Sequence, residues 1–238
     1  LFGSLFLSVP LFPLVGRVLP LNGDVARRPT TALLGFWVRD WLMWVIGPLE
    51  RAFVRSGVSP DVFNLLGVFF GGAAGVAYAT GGGRLSLAGW LILPGGACDV
   101  FDGRIARARG MASNRGAFLD STLDRFSETF AFMGLAFRFA GDPGAVVAVA
   151  LALGGSLLVS YTRARGEALG VSCRGGIMQR AERLVLLALA SLLDAAVTAR
   201  SGWAAGTVLY WTVIAIGAGS LGTAVYRTLY IARELGRR

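Results

Sequence analysis

Six long apolar runs constrain this chain more than any other feature, because each is close to the length that crosses a lipid bilayer. A membrane-spanning helix needs about 20 residues at about 1.5 Å each. The runs cover residues 62–79, 85–108, 116–139, 144–161, about 184–199 and 203 to about 226. Short loops join them, and only 16% of all residues are charged. We therefore expect an all-α integral membrane protein with six transmembrane helices.

The types of charged residue exclude several classes of enzyme. All 23 basic residues are arginine, and the chain contains neither histidine nor lysine. Ser-His-Asp and Cys-His catalysis and histidine-ligated metals are therefore impossible. A lysine Schiff base and a Walker-type phosphate loop are excluded as well. The two cysteines are too few and too far apart for a zinc cluster.

The distribution of arginine predicts how the chain is oriented in the membrane. Each arginine, including those near the ends of the runs, is assigned to the N-terminal segment, to one of the five connections or to the C-terminal tail. In chain order these segments carry six, one, five, one, five, one and four arginines. Arginine-rich loops stay on the cytoplasmic side of a membrane. We therefore expect a multi-pass protein of the cell membrane, with both termini and the active site facing the cytoplasm. The net charge of +9 suits an anionic lipid surface. Nucleic-acid binding is a poor interpretation, because the arginines are divided among membrane loops.

Two segments precede the first run. Residues 1–32 form an extension of unknown role, whose apolar part is interrupted by three prolines and is not expected to span the membrane as a regular helix. Residues 33–57 are predicted to form a juxtamembrane helix lying in the interface, with three tryptophans on one face. Residues 58–238 then form the six-helix domain.

Four aspartates lie inside the second and third runs, where charge is costly and usually functional. Asp99 and Asp102 are spaced i, i+3, and Asp120 and Asp124 are spaced i, i+4, so each pair shares one face of a helix. The two runs are antiparallel and joined by the loop 109–115. All four carboxylates are therefore expected at a similar depth, with Asp102 and Asp120 roughly 8–9 Å along their helices from this loop. Such a cluster would repel itself without cations. Its all-oxygen chemistry predicts two Mg²⁺ or Mn²⁺ ions, an arrangement suited to phosphoryl transfer.

Small residues beside the carboxylates leave room for a bulky substrate. Gly103 and Ala106 are next to the first pair, and Gly116 lies one turn before Asp120. Arg107 lies one turn beyond Gly103 and can neutralise a phosphate. The alternative interpretation is helix packing for the glycines and a loop-flanking charge for Arg107.

The spacing of these residues resembles the signature of the CDP-alcohol phosphotransferases. It reads Asp99-x2-Asp102-Gly103-x2-Ala106-Arg107-x8-Gly116-x3-Asp120-x3-Asp124. The resemblance implies a homodimer in which the four aspartates hold two metals and Asp124 is also the general base. An alcohol hydroxyl would attack the lipid-side phosphate of a CDP-linked donor such as CDP-diacylglycerol, and CMP would leave. The resemblance also implies a set of CDP contacts: Asp61, Val62, Phe63, Asn64, Gly103, Arg107 and Ser113.

Three further segments, 118–125, 160–170 and 179–183, resemble phosphatidylinositol-phosphate synthases and their archaeal relatives. In those enzymes basic residues at such positions hold the phosphate of inositol phosphate. The corresponding residues here are Arg163, Arg165, Arg180 and Arg183. An arginine cluster beside a metal site suits an anionic acceptor, although the same charges could simply keep this loop in the cytoplasm.

Other functions stay open at the level of sequence. Glycerol 3-phosphate would need a similar phosphate pocket, which makes a phosphatidylglycerol-phosphate synthase the second candidate. A CDP-inositol or CDP-archaeol donor is also compatible with the residues. A divalent-cation transporter is the non-enzymatic alternative, but transporters usually place such charges near the middle of the membrane. Glu128 is expected to pair with Arg125 or another helix, and Asp194 to lie at the far interface.

Overall fold

The computed structural model describes residues 47–238, and every regular element in that range is helical. Residues 47–56 are helical, and Val58–Arg238 form one compact unit. That unit contains a short 3-10 turn, Gly82–Arg84, and six long helices. The helices are α1 (Pro60–Thr80), α2 (Leu85–Ala108), α3 (Asn114–Arg138), α4 (Pro143–Ala168), α5 (Arg180–Ser201) and α6 (Thr207–Gly236). The expectation of an all-helical chain is confirmed for the described residues.

Four of these helices are long and apolar enough to cross a membrane, namely α1, α4, α5 and α6. α2 and α3 are also long enough, at 24 and 25 residues, but each carries aspartate and arginine within its length. The aspartates and arginines of the predicted site are therefore also the residues that lower the hydropathy of these two helices. The expected extension, 1–32, and most of the expected interfacial helix, 33–57, lie outside the described residues.

Local capping explains where several helices begin. Ser113 is the N-cap of α3, and its hydroxyl accepts a hydrogen bond of 3.1 Å from the Gly116 amide. Asp142 caps α4 in the same way and is followed by a proline, which is well suited to the first helical position. These caps satisfy amide groups that have no partner inside their own helix.

Asp194 differs from the interfacial position expected for it. It is fully buried in α5, and its carboxylate accepts hydrogen bonds from the amides of Gly206, Val208 and Leu209. It therefore caps the next helix, α6, from outside. The negative charge is favourable there because the amide groups at a helix N-terminus carry partial positive charge.

Glycines let α1 approach α3 until their backbones touch. A Cβ atom on Gly75 would collide with the carbonyl oxygen of Phe130, and one on Gly134 would collide with the backbone of Gly75. Ser127 strengthens the contact by donating a 2.9 Å hydrogen bond to the Gly67 carbonyl. α1 also packs against α2, whereas α2 and α3 contact each other only slightly. The facing sides of α2 and α3 are therefore left for polar side chains.

The close approach of α1 and α3 predicts different effects for two neighbouring glycines. Gly75→Ala should lower the free energy of unfolding by about 1–3 kcal/mol, because the added methyl group meets backbone that cannot move aside. Gly72→Ala is the matched control, since its Cβ would lie 3.9 Å from the nearest atom, in Phe130. Thermal unfolding of both variants in detergent measures the difference. Equal unfolding midpoints would contradict this packing.

Candidate metal and substrate site

The structure brings the four sequence-predicted aspartates together between α2 and α3. Carboxylate oxygens of Asp99, Asp120 and Asp124 all lie within 4.8 Å of one another. Asp102 is the most deeply buried of the four, at 4% exposure, and its carboxyl group interacts electrostatically with that of Asp120. One Asp102 oxygen also accepts a hydrogen bond from the Gly103 amide. The i, i+3 and i, i+4 spacings thus produce a single carboxylate cluster.

The turn between α2 and α3 creates this convergence. Gly110 adopts a φ of +65°, which a residue with a side chain rarely tolerates. The Met111 amide donates a 2.8 Å hydrogen bond to the carbonyl of Ala106, which closes the end of α2. Ser113 then starts α3 in the opposite direction. The reversal places the carboxylate faces of the two helices opposite each other.

Arg180, the first residue of α5, contacts the cluster from a third helix. Its Nη1 lies 2.9 Å from Asp99 Oδ2, and its Nη2 lies 2.7 Å from Asp124 Oδ1. One guanidinium group therefore bridges α2 and α3. Arg125 adds a more distant contact, with Nη1 3.7 Å from Asp124 Oδ2. Two arginines leave the cluster of four acids with more negative than positive charge.

The donor set of the cluster fits a hard divalent cation. Asp120 Oδ1 is buried and has no hydrogen-bond partner among the described residues. A buried carboxylate oxygen without a partner is costly, and a metal ion would satisfy it. All the available ligands are carboxylate oxygens, which Mg²⁺ and Mn²⁺ prefer.

The residues expected to contact CDP lie around the cytoplasmic ends predicted for α1, α2 and α3. Gly103 faces the Arg107 side chain, and a Cβ on Gly103 would lie 3.3 Å from Arg107 Nη1. Arg107 itself is exposed. Ala106 and Gly116 are half-buried on α2 and α3. The Ser113 hydroxyl is used as the cap of α3, so the structure gives it a local role beside the expected one.

The first turn of α1 lies beside these residues. Asp61 pairs with Arg115 at 3.0 Å, and Arg109 donates a 3.0 Å hydrogen bond to the Val58 carbonyl. Both contacts connect the start of α1 to the α2–α3 turn. The next residues divide by exposure: Val62 is exposed, Phe63 is buried against the Phe101 ring, and Asn64 is buried.

Among the four arginines expected to bind an acceptor phosphate, Arg180 alone is recorded in contact with the carboxylate cluster. Arg163 is exposed and pairs with Glu167 at 2.9 Å, and Arg165 is exposed near the end of α4. Arg183 departs from the expectation because it is 1% exposed and has other partners. Its Nε and Nη2 donate to Glu128 at 2.6 and 3.1 Å, and its Nη1 donates to the Met178 carbonyl.

Sequence reasoning missed Arg227, which it counted only as a charge of the C-terminal tail. Arg227 is 3% exposed and donates to the Gly175 carbonyl at 2.9 Å and to the Val159 carbonyl at 2.8 Å. It therefore ties the α4–α5 loop to α4 and α6. Its position inside the last long helix was the available signal, since a buried arginine needs fixed partners.

Comparison with known proteins agrees with this site. Residues 58–218 match the family model described as CDP-alcohol phosphatidyltransferase. The chain is 35% identical to a phosphatidylinositol phosphate synthase of Streptomyces avermitilis over 218 residues, which are 88% of this chain and 87% of that protein. It is 38% identical over 150 residues to an archaetidylinositol phosphate synthase of Methanothermobacter thermautotrophicus, covering 61% of this chain and 74% of that protein.

Solved structures show the same relationship. Two crystal structures of a Mycobacterium tuberculosis phosphatidylinositol phosphate synthase, one with CDP-DAG bound and one in complex with manganese and citrate, superpose with TM-scores of 0.67 at 29% identity. Each covers 77% of this chain, and the alignments span 92% and 87% of those chains. The comparisons confirm the resemblance seen in the aspartate motif. The chain therefore belongs to the CDP-alcohol phosphatidyltransferase family of enzymes.

Proposed function

We propose that this enzyme transfers the phosphatidyl group of CDP-diacylglycerol to inositol phosphate and releases CMP. The observation that carries the proposal is the cluster of Asp99, Asp120 and Asp124, with Asp102 interacting with Asp120 and with Arg180 bridging Asp99 and Asp124. Two of the similar proteins support the choice of substrates, because they are named for phosphatidylinositol phosphate and archaetidylinositol phosphate synthesis. The related crystal structures contain CDP-DAG in one case and manganese in another.

Asp99, Asp102, Asp120 and Asp124 are the residues that would hold two Mg²⁺ or Mn²⁺ ions. When bound, these ions supply positive charge that polarises the pyrophosphate oxygens and stabilises the leaving CMP. The role of the protein is to keep the four carboxylates together in a partly buried place. The opposing faces of α2 and α3 do this, and a bound ion would satisfy the otherwise unpartnered Asp120 Oδ1.

Asp124 is proposed as the general base. The acceptor hydroxyl oxygen attacks the lipid-side phosphorus, and its proton passes to the Asp124 carboxylate. The bond from that phosphorus to the bridging oxygen breaks, and CMP leaves with the electron pair. Asp124 is held for this step by contacts with Arg180 and Arg125 on either side. General base catalysis requires such a fixed position within hydrogen-bond reach of the hydroxyl.

The remaining predicted residues have supporting roles in this proposal. Gly103, Arg107, Ser113 and residues 61–64 would contact the CDP group, and Ala106 and Gly116 would leave room for it. Arg180 is the arginine best placed to meet an acceptor phosphate, because it already touches the carboxylates. Arg163 and Arg165 are exposed and available near the end of α4.

The surrounding architecture is proposed in the same way. The six helices of residues 58–238 would all span the membrane, with α2 and α3 shielding their charges between neighbours. Residues 33–57 would form the interfacial helix, residues 1–32 an extension, and two copies a homodimer. Arginine counts support a site that opens toward the cytoplasm.

The role of Asp124 can be tested by Asp124→Asn. Turnover should fall by roughly 10²–10⁴-fold, since the amide cannot accept the proton and is a weaker metal ligand. CMP release from CDP-diacylglycerol measures this. Asp142→Asn is the control, because it is also an aspartate in this chain but caps the start of α4, where asparagine caps equally well. Near-normal turnover of Asp124→Asn would contradict the assignment.

Metal removal gives a second test. Excess chelator should abolish CMP release, and added Mg²⁺ or Mn²⁺ should restore it. Ca²⁺ should occupy the carboxylates yet support poor turnover, because its coordination is larger and more flexible. Activity that survives chelation would refute the metal role of the four aspartates.

The acceptor is tested by comparing inositol phosphate, glycerol 3-phosphate, serine and free inositol with wild-type enzyme. Inositol phosphate should be preferred, and free inositol should be poor because it offers no anion to Arg180. Arg180→Gln should raise the KM for inositol phosphate roughly 10–100-fold and leave the KM for the CDP-lipid nearly unchanged. Arg138→Gln is the matched control, since Arg138 lies at the other end of α3 and donates to the Ala205 carbonyl.

Each other outcome identifies a different function. Preference for glycerol 3-phosphate would indicate a phosphatidylglycerol-phosphate synthase. Cation flux in vesicles without any CMP release would indicate a transporter. Equal use of inositol and inositol phosphate would refute the phosphorylated acceptor while leaving the phosphotransferase chemistry in place.

A further inference from the structure

A second ion pair, Arg183–Glu128, lies one helical turn from the Arg180–Asp124 contact and takes no part in the proposed chemistry. Glu128 and Arg183 are 3% and 1% exposed, so neither is accessible to substrate. Their contact is bidentate, with Nε and Nη2 of Arg183 donating to the two Glu128 oxygens. A buried ion pair carries a large desolvation cost, and in other proteins its replacement by apolar residues is often neutral or stabilising. Its geometry therefore calls for a role other than stability.

The two charged pairs form successive links between the same two helices. Glu128 lies one turn beyond Asp124 on α3, and Arg183 lies one turn beyond Arg180 on α5. The Arg180–Asp124 contact of 2.7 Å is thus followed one turn later by the Arg183–Glu128 contact of 2.6 Å. One member of each contact, Arg180 and Glu128, also lines a single small cavity. The inner link fixes which turn of α5 faces which turn of α3.

Arg180 needs such support because it is the first residue of its helix. Helix ends fray, and Gln179 at the N-cap forms no side-chain capping bond within the described part of the chain. The preceding residue, Met178, is held instead by side chains of α5 itself and of α6. The Met178 carbonyl accepts a 3.3 Å hydrogen bond from Arg183 Nη1, and the Met178 amide donates a 3.1 Å hydrogen bond to Thr223 Oγ1 of α6.

We propose that Glu128, Arg183 and Thr223 are positioning residues that hold Arg180 between Asp99 and Asp124. They act through the Met178 peptide and the first turn of α5, and none of them touches substrate. Arg180 in this position competes with a cation for two of the carboxylates. Its second task, meeting the acceptor phosphate, rests on the proposed function.

Mn²⁺ binding to the full-length chain in detergent tests this without any turnover. Arg180→Gln should bind Mn²⁺ about tenfold more tightly, because a competing cation is removed. Arg183→Lys keeps the charge but loses the planar fork, so the support of Arg180 is weakened. It should tighten Mn²⁺ binding about threefold. The double variant should bind like Arg180→Gln alone, since residues that act through one another are not additive.

Thr223→Val tests independently whether the hydrogen bond to the Met178 amide helps to position Arg180. It removes the hydroxyl that holds the Met178 amide, changes no charge and lies on another helix. It should move Mn²⁺ affinity in the same direction as Arg183→Lys and keeps the proposal testable if Arg183→Lys does not fold. With active enzyme, both variants should raise the KM for inositol phosphate about 3–10-fold with kcat within about twofold.

Asp194→Asn is the matched control for a purely structural effect. Asp194 is equally buried on α5, but it caps α6 near the other end of the helix. Its replacement should lower the unfolding temperature and leave Mn²⁺ affinity unchanged. The proposal is overturned if Arg183→Lys and Thr223→Val behave like Asp194→Asn, or if their effect on Mn²⁺ persists in the Arg180→Gln background. A different acceptor alcohol would change the KM results only, so failure of the proposed function is distinguishable.

Discussion

Repulsion among four carboxylates is the constraint around which this part of the structure is organised. In a partly buried place, each additional negative charge makes the others harder to keep ionised. The protein brings them together through a tight turn between two helices and places one guanidinium group across them. Arginine suits this position because its planar fork contacts two carboxylates on different helices at once. The site is therefore assembled from α2, α3 and α5 together.

Two buried charges elsewhere follow the same logic, each with fixed partners. Asp194 receives three amide groups at the start of α6, and Arg227 donates to two carbonyls on separate segments. Both side chains connect parts of the chain that apolar packing alone would leave without a defined register. Polar contacts of this kind specify one arrangement of helices whose apolar faces could otherwise pack in several ways.

The sequence predicted the features that depend on residues close together in the chain. The apolar runs indicated all six helices, and the aspartate spacing placed each pair of carboxylates on one face. The turn 109–115 was enough to bring the two pairs together. The partners of Arg183, Arg227 and Asp194 could not be predicted, because each contact involves another helix or loop. Arg183 and Arg180 looked equivalent in sequence, and only their side-chain contacts with α3 show that one meets the carboxylates and the other is buried with Glu128. Residues 1–46 lie outside the structural description, so expectations for them stay predictions.

In a membrane crossed by α1, the backbone contact between α1 and α3 would also determine how far the carboxylates lie from the membrane surface. α3 carries too many charges to take a defined vertical position from its own hydropathy, whereas α1 is uncharged from Val62 to Thr80. Gly75 and Gly134 let the two helices meet without intervening side chains, so α3 cannot slide along α1 by a fraction of a turn. The apolar length of α1 would thereby set the depth of Asp120 and Asp124 in the membrane. α1 contributes no carboxylate to the cluster, yet its position in the membrane would determine the depth of the cluster.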